Sequence, residues 1–120
     1  MPKSDLIFYK EEDEVPMLEW LERVPSKALD KCLAYLGQLE AMGHELRRPI
    51  ADFLGGGIYE LRPSYQGVHY RILYFFSGKN VVVVSHGLKK EGVVPAVEIR
   101  RAIKRKRKFE ADPKAHTFRR

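Results

Sequence analysis

Residues 58–90 decide how this chain is read: Ile58-Tyr59-Glu60-Leu61-Arg62, then Val68-His69-Tyr70-Arg71-Ile72-Leu73-Tyr74-Phe75-Phe76, then Val81-Val82-Val83-Val84-Ser85-His86, with Gly87-Leu88-Lys89-Lys90 following. Each run is rich in β-branched and aromatic residues and reads as a strand. Pro63-Ser64-Tyr65-Gln66-Gly67 and Ser77-Gly78-Lys79-Asn80 join them and are short enough for antiparallel hairpins, so the three runs predict a meander. Period-two alternation in the second run puts His69, Arg71, Leu73 and Phe75 on one side and Tyr70, Ile72, Tyr74 and Phe76 on the other. The four valines have the composition of a strand covered on both faces.

Working outward, Leu6-Ile7-Phe8-Tyr9 reads as a first short strand. Pro16 opens a short helix through Met17, Leu18, Trp20 and Leu21. Ala28, Leu29, Cys32, Leu33, Leu36 and Leu39 mark the apolar face of a second helix that Gly43 ends. Residues 44–57, with Pro49 and Gly55-Gly56-Gly57, read as a connector closing on a flexible turn. Pro95 starts a strongly basic helix with a thin stripe of Val97, Ile99, Ala102 and Ile103, ending before Asp112-Pro113. The expected architecture is α+β: an N-terminal strand, two helices, a three-stranded antiparallel meander and a C-terminal basic helix. It forms one domain over residues 1–109, with residues 110–120 as a tail.

Length and composition set the class. A chain of 120 residues is the size of a single domain with one core. No run approaches the roughly 20 apolar residues that span a bilayer, so no membrane partner is expected. The acidic N-terminus has no basic segment followed by an apolar one, which argues against a secretory signal. A lone Cys32 on an apolar stripe can close no internal disulfide, in keeping with a cytoplasmic setting.

Charge is distributed unevenly. Residues 1–45 hold 5 Lys/Arg against 10 Asp/Glu and residues 46–120 hold 17 against 6, so the two parts carry −5 and +11. A basic surface of that size attracts phosphate-bearing partners. His44, His69, His86 and His116 show no metal-ligand spacing, Gly55-Gly56-Gly57 precedes a strand and not Lys-Ser/Thr and a helix, and no Ser lies in a nucleophile elbow. No metal and no cofactor is expected. Cationic chemistry is left, on Arg62 and Arg71 of adjacent strands, which fit an apolar sheet side only if they face an open concave surface.

The element order, together with Tyr59-Glu60-Leu61-Arg62, Tyr70-Arg71-Ile72-Leu73-Tyr74 and Ser85-His86-Gly87-Leu88-Lys89-Lys90, resembles the RelE/ParE superfamily over about residues 5–105, most nearly its phage-derived HigB-like branch. The resemblance implies a type II toxin, a metal-independent endoribonuclease that cleaves messenger RNA at the ribosome and is neutralised by a cognate helix-turn-helix antitoxin. It implies Arg71 and Arg62 as phosphate clamps, Lys89 and Lys90 as electrostatic stabilisers or proton carriers, and His86 as general acid or base, its ordinary pKa being near neutrality. Tyr65 and His69 are candidates for stacking on a base, and Arg101 and Lys104 for contacting the RNA backbone. Glu60 stands where some members carry lysine. Two other readings use the same scaffold: a ParE-type toxin that binds DNA gyrase through the basic helix, and a nucleic-acid-binding regulator that does not cleave.

Overall fold

Val81–Val84 lie at the centre of a sheet, and the computed structural model, which describes residues 4–119, shows what covers them. Among the described residues the order is β1 (Asp5–Tyr9), α1 (Pro16–Arg23), α2 (Ser26–Met42), β2 (Ala51–Gly55), β3 (Ile58–Leu61), β4 (Ser64–Tyr65), β5 (Val68–Ser77), β6 (Val81–Lys89), α3 (Ala96–Ala111) and β7 (Thr117–Phe118). The strands stand in the order β2-β3-β5-β6-β1-β7, with β4 beside β5. The fold is α+β and contains the expected antiparallel β3-β5-β6 meander.

The sheet is wider than the meander because three further segments join it. β1 runs parallel to β6, pairing Leu6 with Val82 and Phe8 with Val84. With β5 on its other edge, β6 is fully internal, which is why its valines need no polar alternation. Val82, Val84, Phe8, Ile72 and Tyr74 meet Met17, Trp20, Leu21, Cys32, Leu36 and Leu39 of α1 and α2. On the opposite side Val83, Ile7, Tyr9, Leu73 and Phe75 meet Ala102 and Phe109 of α3. Cys32 lies in the first of these cores, where burial raises its thiol pKa to about 11.

Four expectations need correction. The connector 44–57 contains β2, an edge strand that forms a hairpin with β3. Its Gly55-Gly56-Gly57 turn has positive φ throughout (99°, 62° and 82°), and a side chain on Gly56 would run into Ile103, so the turn is packed under α3. The third strand extends past His86 to Lys89. Residues 110–119 are no tail: α3 continues to Ala111, β7 pairs with β1, His116 stacks on Tyr9 at 5.1 Å, and Arg119 bonds Asp5 at 2.7 Å. Arg120 of the expected tail, and residues 1–3 of the expected domain, lie outside the described residues.

Candidate functional site

The charged residues of the meander gather on the sheet side that faces α3. Register places Glu60 opposite Leu73 and Leu73 opposite His86, forming one row, and Arg71 opposite Leu88 in the next. A β-bulge shapes this row. Tyr74 pairs with Val84 but Leu73 pairs with His86, so Ser85 is the extra residue. An unbroken alternation from Val83 would turn His86 toward α1. The bulge instead turns both Ser85 and His86 toward α3 and brings Gly87 against Trp20.

The first group is built around a carboxylate. Arg62 Nη1 donates to Glu60 Oε2 at 2.8 Å, and Arg71 Nε lies 3.4 Å from Glu60 Oε1. Arg71 Nη1 donates to the Tyr70 carbonyl at 2.8 Å, while its Nε is a buried donor without a hydrogen bond among the described residues. Burial and then the Arg62 charge pull the Arg71 pKa downward, opposed by Glu60. This corrects the expectation of an open face: Arg71 is only 5% exposed. Arg62 is the accessible member of the pair.

The second group is centred on His86. Arg105 Nη1 donates to His86 Nδ1 at 3.1 Å and to Ser85 Oγ at 3.2 Å, and Ser85 Oγ lies 2.8 Å from the same Nδ1. With Nδ1 accepting, the ring proton falls on Nε2, which donates to Glu98 Oε1 at 2.9 Å. Burial, reinforced by the Arg105 charge and opposed by Glu98, holds the imidazole pKa down at about 4. His86 is therefore neutral at pH 7, with both nitrogens engaged. Glu98 also accepts from Arg101 Nη1 at 2.8 Å, and the Arg105 guanidinium lies 5.5 Å over the Tyr9 ring.

The other candidates disperse. Lys89 pairs with Tyr70, so alternation directs it away from the Arg71 side, whereas Lys90 donates its backbone N–H to the His69 carbonyl at 3.0 Å. His69, Lys89 and Lys90 line a pocket of about 340 Å³ at this end of the sheet. Tyr65 packs against the α1/α2 core and is not beside Arg71. Arg101 and Lys104 line a groove of about 380 Å³ along α3 with Arg100, Arg105, Lys108 and Glu11.

Sequence reasoning missed Glu60, Ser85, Glu98 and Arg105. A signal existed for one of them: Glu98 is the sole acid in the first three turns of a helix otherwise studded with Arg and Lys. Among the described residues no group of three or more His, Cys, Asp or Glu side chains is placed to hold a metal ion, and no helix is long and apolar enough to cross a membrane.

These features define a small α+β domain in which a basic helix closes over a sheet face that carries a buried Arg71–Glu60 pair, and reaches its His86 through Glu98. Residues 19–107 match the family described as Phage derived protein Gp49-like (DUF891), and the chain belongs to that family. No curated protein matches it.

Proposed function

We propose that this chain is the toxin of a type II toxin–antitoxin system, of the RelE/HigB-like kind, and that it cleaves messenger RNA on the ribosome without a metal ion. The observation that supports this best is the Arg62–Glu60–Arg71 group, in which two guanidiniums converge on one oxyanion. Guanidinium binds phosphate with the geometry it uses for carboxylate, so a site that holds Glu60 this way suits a phosphodiester once the carboxylate yields one of its partners.

In such a cleavage the ribose 2′-oxygen attacks phosphorus, the bond to the 5′-oxygen breaks, and the products are a 2′,3′-cyclic phosphate and a 5′-hydroxyl. One proton leaves the 2′-hydroxyl and one reaches the 5′-oxygen, while charge accumulates on the phosphoryl oxygens. Arg62 and Arg71 meet that charge. Glu60, freed from one guanidinium, is the nearest carboxylate to take the first proton. For His86 to move a proton, Glu98 or Arg105 must first withdraw from it. Lys89, Lys90 and His69 would hold the RNA backbone at the pocket they share.

The cognate antitoxin is expected to present acidic or amphipathic segments to the +11 part of the chain. The exposed basic surface of α3 favours one competing reading, a gyrase-directed toxin docking through that helix. Inducible expression in a bacterium, wild type beside Arg71→Ala and Arg62→Ala, with primer extension on an abundant message, separates the two. New 5′ ends inside translated codons, present only for wild type, are expected. Growth arrest with intact messages and damaged DNA would replace the ribonuclease by the gyrase-directed reading.

A further inference from the structure

The β2 edge carries a surface that neither charged group uses. Phe53, on this edge strand, is the one aromatic among the large exposed hydrophobics of the described residues, with 55% of its surface accessible. Its ring lies 4.9 Å from that of Tyr59, which is itself stacked on Tyr74 at 5.5 Å and set edge-on to Phe76 at 5.2 Å. Tyr74 is buried, so the floor beneath Phe53 is fixed by the core. His44 extends the aromatic surface by stacking on Phe76 at 3.6 Å.

A cavity of about 450 Å³ opens above these rings, and Arg47 and Arg48 form part of its lining. Arg48 is held by Asp52 at 2.7 Å, while the exposed Arg47 guanidinium has no ion-pair or hydrogen-bond partner among the described residues. A rigid aromatic floor beside a free guanidinium is how proteins hold an unpaired base together with its phosphate. Strand addition by a peptide fits less well: the Phe53 N–H is already taken by Asp52 Oδ1 at 2.9 Å, which blunts the open edge.

We infer that Phe53, Tyr59 and Arg47 form a stacking subsite for one unpaired base of a single-stranded RNA, an inference that takes its ligand class from the ribonuclease reading above. The subsite lies on the other face of the β2–β3 hairpin from the candidate phosphate site: Phe53 and Tyr59 share the side of Tyr74 and Phe76, whereas Glu60 lies on the side of Arg71. The Arg62 N–H donates to the Ile50 carbonyl at 2.9 Å, and Asp52 stands opposite Glu60 in the hairpin. A strand anchored at Arg62 reaches Phe53 by passing over the β2 edge.

The test is fluorescence anisotropy of the full-length chain with a short labelled 2′-O-methyl RNA, which lacks the attacking hydroxyl. Phe53→Ala should weaken binding roughly fivefold to a hundredfold, Phe53→Tyr should restore it, and Arg47→Glu should weaken it further. One abasic nucleotide at the stacked position should cost the wild type affinity and Phe53→Ala almost none. Phe53 is exposed, so an unchanged thermal midpoint is expected to accompany these losses. Unchanged affinity in a folded Phe53→Ala overturns the subsite even if messages are still cut in cells. Lost affinity in Phe53→Ala beside a wild type that cuts no message keeps the subsite and removes the ribonuclease reading.

Discussion

Glu60 Oε1 lies 3.4 Å from Arg71 Nε, and the two side chains are 5% and 6% exposed, so each supplies the other's counter-charge away from water. Removing one partner strands the other. Glu60→Ala should lower stability by about 3–5 kcal/mol, measured as a urea midpoint. Pairing it instead as Glu60→Leu with Arg71→Met should recover most of that loss, because matched apolar groups replace a buried ion pair at little cost. An unchanged midpoint for Glu60→Ala would mean that water reaches Arg71.

Arg62 is the more exposed guanidinium, with a side chain 38% accessible, and its loss should change stability by only about 1 kcal/mol. The phosphate contact proposed for it is separable by salt. For Arg62→Ala the slope of log affinity against log salt should fall by about 0.7, the value for one phosphate contact on a single strand. An unchanged slope would take Arg62 out of phosphate binding.

His86 gives a pH signature. Its pKa falls from 6.5 to about 4 on folding, chiefly through burial, in surroundings that contain Glu98, Arg101 and Arg105. Between those values the unfolded chain binds the proton and the folded chain does not, so stability rises with pH. The contribution is complete above pH 6.5 and declines as the pH falls toward 4, by up to about 3 kcal/mol. His86→Gln should flatten that part of the stability profile. A wild-type profile as flat as the mutant's would contradict the closed network around the imidazole.

Gly87 sits where a side chain cannot. A Cβ there would overlap the Trp20 indole, a rigid group itself buried in the α1/α2 core. Gly87→Ala is expected to destabilise by about 1–3 kcal/mol, seen as a lower thermal midpoint, and to disturb the adjacent bulge of β6 that carries His86. Full stability would show that Trp20 has room to move.

Much of this was legible from the amino acids because local rules left few alternatives. Pro16, Gly43 and the Asp112-Pro113 stop delimit helices by backbone restrictions that act within a turn. Alternation in β5 placed His69 and Arg71 on one side of the sheet, the side opposite Tyr70, Ile72 and Tyr74. β7 was not legible, since two residues carry no periodicity, and neither was β2, whose Ala51-Asp52-Phe53-Leu54-Gly55 follows a proline and runs into three glycines. His86 was misread as a strand end, because nothing local announces that Ser85 is an extra residue.

The sequence by itself determined the α+β class, the two-sided burial of Val81–Val84 and the concentration of positive charge after residue 45, all of which follow from short-range periodicity and composition. Tertiary structure decided which charges meet. Glu60 with Arg71 on neighbouring strands, and His86 with Glu98 and Arg105 across the sheet–helix interface, are contacts set by register, by one bulge and by the packing of α3. Burial in the folded chain turns those charges into fixed partners and holds His86 neutral, because desolvation acts only on groups that the whole fold has enclosed.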